Sequence, residues 1–311
     1  MRTLIYGAGA MGSLVGGLLA QKYDVTLLGR EPHMTVIPET GLKITGLNDV
    51  VVHPKSVKNF TELPQDFQPE LIILTVKSYD TQKIIPELQN YINKNTLILS
   101  LQNGLENEQY LKNSFPDNTI VGGVTCHGVT YMEPGHVYHA GTGETQIGVY
   151  GGKNTEQTTE LANMFNKIGI KVDVTDNIEG EIWAKVAVNA SINPITAITG
   201  LKNGFLLKIP ELTKLLDATC KEVIRVAKAS NVKLPSCDIL EKTKNVVRNT
   251  AGNKSSMLQD IERGKRTEID SINGAVVKIG RDYSTPTPVN ESLTTLVKGI
   301  EANTYIDDEL L

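Results

Sequence analysis

Only three cysteines, Cys126, Cys220 and Cys237, occur among the 311 residues. They are odd in number and widely spaced, which excludes a disulfide framework or zinc cluster and predicts a reducing compartment. No basic excess is present: 31 Lys and Arg stand against 35 Asp and Glu, a formal net charge of −4. A protein built mainly to grip nucleic acid carries a concentrated basic surplus, so that class is set aside. Long hydrophobic runs are missing too. The longest, Leu71–Val76 and Thr96–Leu101, have the length of buried strands and fall short of the roughly 18 apolar residues of a membrane span. The opening MRTLIYGAGAMG reaches glycine too soon for a signal peptide. A cytoplasmic chain is expected, with neither membrane nor nucleic acid among its partners.

At roughly 100–200 residues per domain, the length suits two domains. Through the first half, apolar runs at Thr3–Tyr6, Asp24–Leu28, Leu71–Val76, Leu97–Leu101 and Thr119–Val121 alternate with helix-like segments at Gly12–Gln21, Thr81–Tyr91 and Glu106–Asn113. Most of these runs lack alternating polarity, as strands covered on both faces do. Strand, helix, strand in repetition predicts an α/β domain of Rossmann type, a doubly wound, mostly parallel sheet. Alternation at His136–Tyr138 and Gln146–Val149 predicts added antiparallel strands. Beyond about Asp176 helical periodicity takes over, at Ile178–Thr199, Pro210–Ser230, Ser236–Ala251 and Glu268–Arg281. The expected division is therefore 1–176 for a dinucleotide-binding domain and 177–311 for an all-helical C-terminal domain, closing on a frayed acidic end, IDDELL.

Gly7-Ala8-Gly9-Ala10-Met11-Gly12 reads GxGxxG between the first strand and the first helix. The first glycine permits the tight turn, the second lets backbone approach a pyrophosphate, and the third lets the helix pack closely. Among 27 glycines chance matches arise, but the strand-to-helix context is the one the motif requires. The next strand ends at Arg30, where an NAD-selective site usually carries an acid. A guanidinium suits a 2′-phosphate, so NADP is favoured over NAD. Glu31 beside it offers the ribose a carboxylate, which weighs the other way. Lys77 and Gln102-Asn103-Gly104 follow two later strands, at the carboxyl edge where open parallel sheets bind ligands. For Asn103-Gly104 a plain turn is the simpler alternative.

In the helical half, Lys185, Asn189 and Asn193 recur at i, i+4 and i+8, on one stripe of a helix otherwise made of Trp183, Val186, Ala187, Val188, Ala190 and Ile192. Such a stripe is costly to bury unless it faces something polar. Pro194 removes one backbone donor and frees the Ala190 carbonyl. A second constellation holds Ser255-Ser256, whose hydroxyls could bind a carboxylate, and Glu268, whose role the residues alone leave open. Asp260, Glu262, Arg263, Lys265 and Arg266 read as a solvated charge run. His127 and His139 lack metal-ligand spacing, so no metal is expected. Cys126 reads as a buried small side chain.

GAGAMG, TVKSYD, LQNG, WAKVAVNASINPITA and SSMLQDIERGKRTEIDSING together resemble the 2-dehydropantoate 2-reductase, or ketopantoate reductase, family, in order and over essentially the whole chain. The resemblance implies reduction of 2-dehydropantoate to (R)-pantoate with NADPH (NADP being the product), on the route to pantothenate and coenzyme A. It implies that Lys185 donates the proton and that Asn103, Asn189, Asn193, Asn203, Asn253 and Ser256 contact the substrate. Glu268 completes the site beside the cofactor, which Lys77, Asn103 and Val129 also contact. Phe205 stands where related sequences often carry an acid. Small-molecule 2-oxo acids are the expected partners, and a homodimer is admitted. Two alternatives stand beside this reading: reduction of another branched 2-oxo acid by the same residues, and an NADPH sensor without catalysis, which the fold alone does not exclude.

Overall fold

The computed structural model describes residues 1–305; the acidic end at 306–311 lies outside the described residues. The chain divides into two compact units, one made of Met1–Gln102 with Asn107–Ile178, the other of Asn103–Glu106 with Glu179 onward. The first unit runs β1 (Arg2–Tyr6), α1 (Ala10–Ala20), β2 (Asp24–Leu28), α2 (His33–Thr40), β3 (Leu42–Gly46), β4 (Val50–Val52), β5 (Lys55–Val57), β6 (Leu71–Leu74), α3 (Thr81–Leu88), β7 (Leu97–Ser100), α4 (Asn107–Ser114), β8 (Ile120–Thr125), β9 (Gly128–Glu133), β10 (His136–Gly141), β11 (Thr145–Val149), α5 (Glu156–Lys167) and β12 (Val172–Val174).

Eight strands form one sheet in the order β12-β11-β8-β7-β6-β1-β2-β5. All its neighbours are parallel except β8 and β11. The central strands show why their sequences are continuously apolar. Ile5, Leu71, Ile73, Leu97 and Leu99 join one core with Leu14 and Leu18 of α1 and Phe165 of α5. Their alternates Leu4, Ile72, Leu74 and Ile98 join a second core with Ile84 and Leu88 of α3 and Leu111 of α4. Both faces are thus covered, and strands with two buried faces are built mostly of apolar residues. In β1, β2, β6 and β7 the buried polar residues are only Thr and Ser: Thr3, Thr26 and Ser100. Each such side chain contributes roughly 1.5–3 kcal/mol by leaving water. The five expected runs all became strands of this sheet, and the doubly wound architecture is the one expected.

A second sheet, β4-β3-β10-β9, pairs β10 antiparallel to β9 and parallel to β3. The alternation at His136–Tyr138 became β10 of this sheet and that at Gln146–Val149 became β11 of the first, each with an antiparallel neighbour. By contrast β3, β4 and β9, along with β5, β12, α2 and α5, were not expected, because they are short or mix polar with apolar residues. Cys126 corrects one expectation: it is exposed, in the turn between β8 and β9, because its neighbourhood is backbone of Gly143 and Glu144 rather than core.

The second unit is helical: α6 (Ile178–Thr199), α7 (Pro210–Ala229), α8 (Ile239–Asn249), α9 (Ser256–Glu262), α10 (Ala275–Asp282) and α11 (Pro288–Tyr305). Val188, Ile192 and Ile195 of α6 pack with Leu216 of α7, Val247 of α8 and Leu293 of α11. The helix expected over Glu268–Arg281 begins as a π-helical turn, Asp270–Gly274, before becoming α10. Pro210 occupies the first position of α7, where its missing N–H costs nothing. Asp238 caps α8 by accepting from Leu240 and Glu241 N–H.

His33 of α2 is buried and accepts the Gly135 N–H at Nδ1 (2.8 Å), so its Nε2–H faces the Ser13 hydroxyl of α1 (2.8 Å). Burial pushes its pKa from 6.5 down to about 4. Between those values the unfolded chain takes up a proton that the folded imidazole refuses. The stabilisation is therefore whole above about pH 6.5 and is lost as pH falls toward about 4, on the order of 3 kcal/mol. His33→Gln is expected to flatten the fall in Tm across that window. Calorimetry at several pH values checks this, and an unchanged acid slope contradicts it.

Candidate active site

The loop between β1 and α1 has the shape its glycines suggest. Gly7 sits at φ +107°, and a Cβ there would lie 2.4 Å from the Val76 nitrogen. At Gly12 a Cβ would lie 2.4 Å from the Gly7 oxygen and 2.5 Å from Thr75 Oγ1. Thr75 Oγ1 itself donates to the Gly7 carbonyl (2.8 Å), holding the loop against the end of β6. At Gly9, by contrast, a Cβ would meet only the Gly7 oxygen, at 3.9 Å. Two glycines are thus demanded by the protein's own packing, while the middle one borders open space. No side chain caps α1 at Gly9, and the first-turn N–H groups of Ala10, Met11 and Gly12 have no partner within the helix. A pyrophosphate suits that arrangement of donors and dipole.

Arg30 follows β2 with an exposed guanidinium whose Nη2 lies 3.1 Å from the Asp80 carboxylate. Glu31 is engaged elsewhere: Lys58 Nζ donates to it at 2.9 Å, and that partner holds its carboxyl below the usual range. Arg30 and Glu31 both follow β2 and both are paired, Arg30 with Asp80 and Glu31 with Lys58, which follows the parallel strand β5. Lys77, half-buried, precedes the short helical turn Ser78–Asp80 after β6. Val129 lies on β9, opposite His139. His139 is buried, with Nδ1 2.6 Å from Asn48 Oδ1 and Nε2 2.9 Å from His127 Nδ1. Among the described residues no three or more His, Cys, Asp or Glu side chains form a group that could hold a metal ion.

In the second unit, α6 carries the polar stripe. From Ile182 to Ala197 every residue is buried except Lys185 and Asn189, which are half-buried one turn apart. Asn193 completes the row and is 6% exposed. The Ala190 carbonyl freed by Pro194 accepts instead from Asn273 Nδ2 (3.1 Å). Glu268, 5% exposed, lies just ahead of the π-helical turn and accepts from Asn103 Nδ2 at 3.2 Å. Asn103 heads the short segment Asn103–Glu106 that belongs to this unit. Leu105 N–H donates to the Ser271 carbonyl (2.9 Å). At Gly104, φ +90°, a Cβ would lie 2.6 Å from that same oxygen. Asn103-Gly104 is therefore a turn as well as a polar contact: the missing side chain lets Asn103 reach Glu268.

The serine pair divides its labour. Ser255 is buried, its Oγ accepting from Leu258 N–H (3.1 Å) as the cap of α9 and from Thr196 Oγ1 (2.7 Å) of α6. Ser256, the first residue of α9, is exposed. Asn203 and Asn253 are brought together through backbone, Asn203 N–H donating to the Asn253 carbonyl (3.0 Å). Asn203 is buried, donates Nδ2 to Thr250 Oγ1 (2.9 Å) and leaves Oδ1 without a hydrogen bond, whereas Asn253 is exposed. Asn273 and Thr196, which link these segments, were given no role in the sequence reading; Pro194 was the available signal, since an orphaned carbonyl implies a donor elsewhere.

Residues 3–152 match the family described as ketopantoate reductase PanE/ApbA, and residues 177–301 match its C-terminal counterpart. The chain belongs to the ketopantoate reductase family. It is 40% identical to the 2-dehydropantoate 2-reductase of Pyrococcus horikoshii over 97% of this chain and 98% of that one. It is 38% identical to the same enzyme of Halobacterium salinarum, over 96% and 98%. Among solved structures it resembles the ketopantoate reductase of Ralstonia eutropha JMP134, with TM-score 0.90, 34% identity and coverage of 98% and 100%. A D-mandelate dehydrogenase solved with NADH and anilino(oxo)acetate gives TM-score 0.92 at 29% identity, covering 99% and 100%. Ketopantoate reductases thus share the fold of both units, and so does a D-mandelate dehydrogenase. Among the described residues of this member, no helix is long and apolar enough to cross a membrane.

Proposed function

We propose that this chain reduces 2-dehydropantoate to (R)-pantoate with NADPH, in the cytoplasm. The observation carrying this reading is the α6 stripe, where Lys185 and Asn189 alone interrupt a buried run from Ile182 to Ala197. A lysine and an asparagine one turn apart on an otherwise buried helix call for polar surroundings at that place. In the proposed division, residues 1–176 hold the cofactor and residues 177–311 the substrate. The Gly7–Gly12 loop would cradle the pyrophosphate and Arg30 the 2′-phosphate, with Lys77, Asn103 and Val129 as further contacts. Bound NADPH supplies the hydride.

The remaining chemistry belongs to the protein. As the ketone carbon is reduced, negative charge gathers on its oxygen, and Lys185 Nζ stabilises that charge and gives its proton to the oxygen. Glu268 favours the protonated lysine against the desolvation that opposes it. Asn103, linked to Glu268, orients the substrate at the same place. Asn189, Asn193, Asn203 and Asn253 supply amides to the substrate, and the Ser256 hydroxyl holds its carboxylate.

Likeness to a D-mandelate dehydrogenase solved with NADH and anilino(oxo)acetate supports a second reading, reduction of another 2-oxo acid. Comparing kcat/KM for 2-dehydropantoate and 2-oxoisovalerate separates them, and a preference for the latter overturns the first reading. Lys185→Ala is expected to lower kcat by roughly 10²–10⁴-fold, while the Kd for NADPH, measured by fluorescence titration, stays within about threefold. Near-normal turnover would remove Lys185 from the reaction. Arg30→Ala is expected to weaken NADPH by roughly 10–100-fold, the worth of a charged hydrogen bond, with NADH barely affected. Equal loss for both cofactors would contradict the assignment of Arg30 to the 2′-phosphate.

A further inference from the structure

Pro194 sits inside α6, one residue beyond the polar stripe, and has no N–H to give to the Ala190 carbonyl. Asn273 replaces that donor from another element. Its side chain is fully buried, and Nδ2 bonds both the Ala190 carbonyl (3.1 Å) and Asn290 Oδ1 (3.0 Å). The direction of these bonds is set at the far end. Glu222 of α7, 3% exposed, accepts from the backbone N–H groups of Val289 (3.1 Å) and Asn290 (2.9 Å) and from Asn290 Nδ2 (2.8 Å). A carboxylate only accepts, so Asn290 must turn its amide nitrogen toward Glu222 and its oxygen toward Asn273. That oxygen in turn requires the amide nitrogen of Asn273, whose second hydrogen is then aimed at Ala190. Asn273 Oδ1 makes no hydrogen bond although it is buried. The position thus uses both donors of an amide and leaves its acceptor unsatisfied.

The two ends of this bond matter because of what they carry. Ala190 follows Asn189 and lies between Lys185 and Asn193 on α6. Asn273 lies in the π-helical turn that follows Glu268, where Gly274 N–H reaches back to the Ile269 carbonyl (2.9 Å) and Ile272 N–H to the Glu268 carbonyl (3.1 Å). Single π turns inside helices recur at functional sites, and here the wider turn carries the amide that meets α6. We propose that Asn273 is a positioning residue for the reduction: standing in for the N–H that Pro194 lacks, it fixes the register of the Lys185 helix against the Glu268 turn. This rests on the roles proposed above for Lys185 and Glu268.

The test is a cycle in the full-length protein with Asn273→Ala, Asn273→Asp, Pro194→Ala and the Pro194→Ala/Asn273→Ala pair. Displacements of about 1 Å in a reacting constellation cost up to about 100-fold, so Asn273→Ala is expected to lower kcat 10- to 100-fold. KM for NADPH is expected to stay within about twofold. Asn273→Asp keeps the shape but loses both donors, and is expected to behave likewise. In Pro194→Ala the residue at 194 regains an N–H for the Ala190 carbonyl, so the added loss from Asn273→Ala is expected to shrink to about threefold or less. A lower Tm with unchanged kcat overturns the proposal, as does an equal Asn273→Ala loss in both backgrounds. If the wild-type protein leaves 2-dehydropantoate and 2-oxoisovalerate untouched, the function proposed above fails instead. The inference is then read from the unfolding midpoints of the same cycle, where non-additive shifts support the shared Ala190 carbonyl and additive shifts overturn it.

Discussion

A proline inside a buried helix leaves a carbonyl that water cannot reach, and the helical unit is arranged around satisfying it. Asn273 meets the Ala190 carbonyl, Asn290 meets Asn273, and Glu222 meets Asn290. The chain of donors runs from α6 through the π-helical turn to α11 and α7, with apolar packing of Val188, Ile192, Leu216 and Leu293 around it. A network of this kind is stable only when each donor has its acceptor, and it permits one arrangement of its helices rather than several. α6 is therefore a rigid support for the two half-buried side chains it displays.

In the first unit the controlling constraint is steric. Gly7 and Gly12 are required because a Cβ at either would come within 3 Å of Val76 or Thr75, so the loop is set by the end of β6 as much as by its own sequence. The protein brings little global charge to an anionic cofactor, with a net of −4. In the proposed site the positive groups are local, at Arg30 and at the N-terminus of α1. Glu31 beside Arg30 is paired with Lys58.

Much of this was legible before any coordinates. Strands with two buried faces advertise themselves as largely apolar runs, so β1, β2, β6, β7 and β8 were readable, whereas β3, β5 and β12, short and mixed in polarity, and β4, only three residues long, were not. The α6 stripe was readable because lysine and asparagine stand out among Val, Ala and Ile at helical spacing. The direction of the serine pair was not, since which hydroxyl caps α9 depends on Thr196 59 residues away. Nor was the π-helical turn, whose i−5 bond leaves no mark in residue type. Pro194 did mark the Ala190 carbonyl as needing a donor, but the identity of that donor is a tertiary fact. Cys126 went the other way, a residue type usually buried that sits in an exposed turn.

The central claim is that the α6 lysine and the glycine-rich loop serve one reduction of a 2-oxo acid. Absorbance at 340 nm of NADPH mixed with the folded protein, followed before and after addition of 2-dehydropantoate, tests it most directly. The expected result is a steady trace that falls on addition, by an amount stoichiometric with the substrate. A trace that stays flat, with circular dichroism attesting a folded protein, would contradict the claim and leave a binding function for the dinucleotide loop.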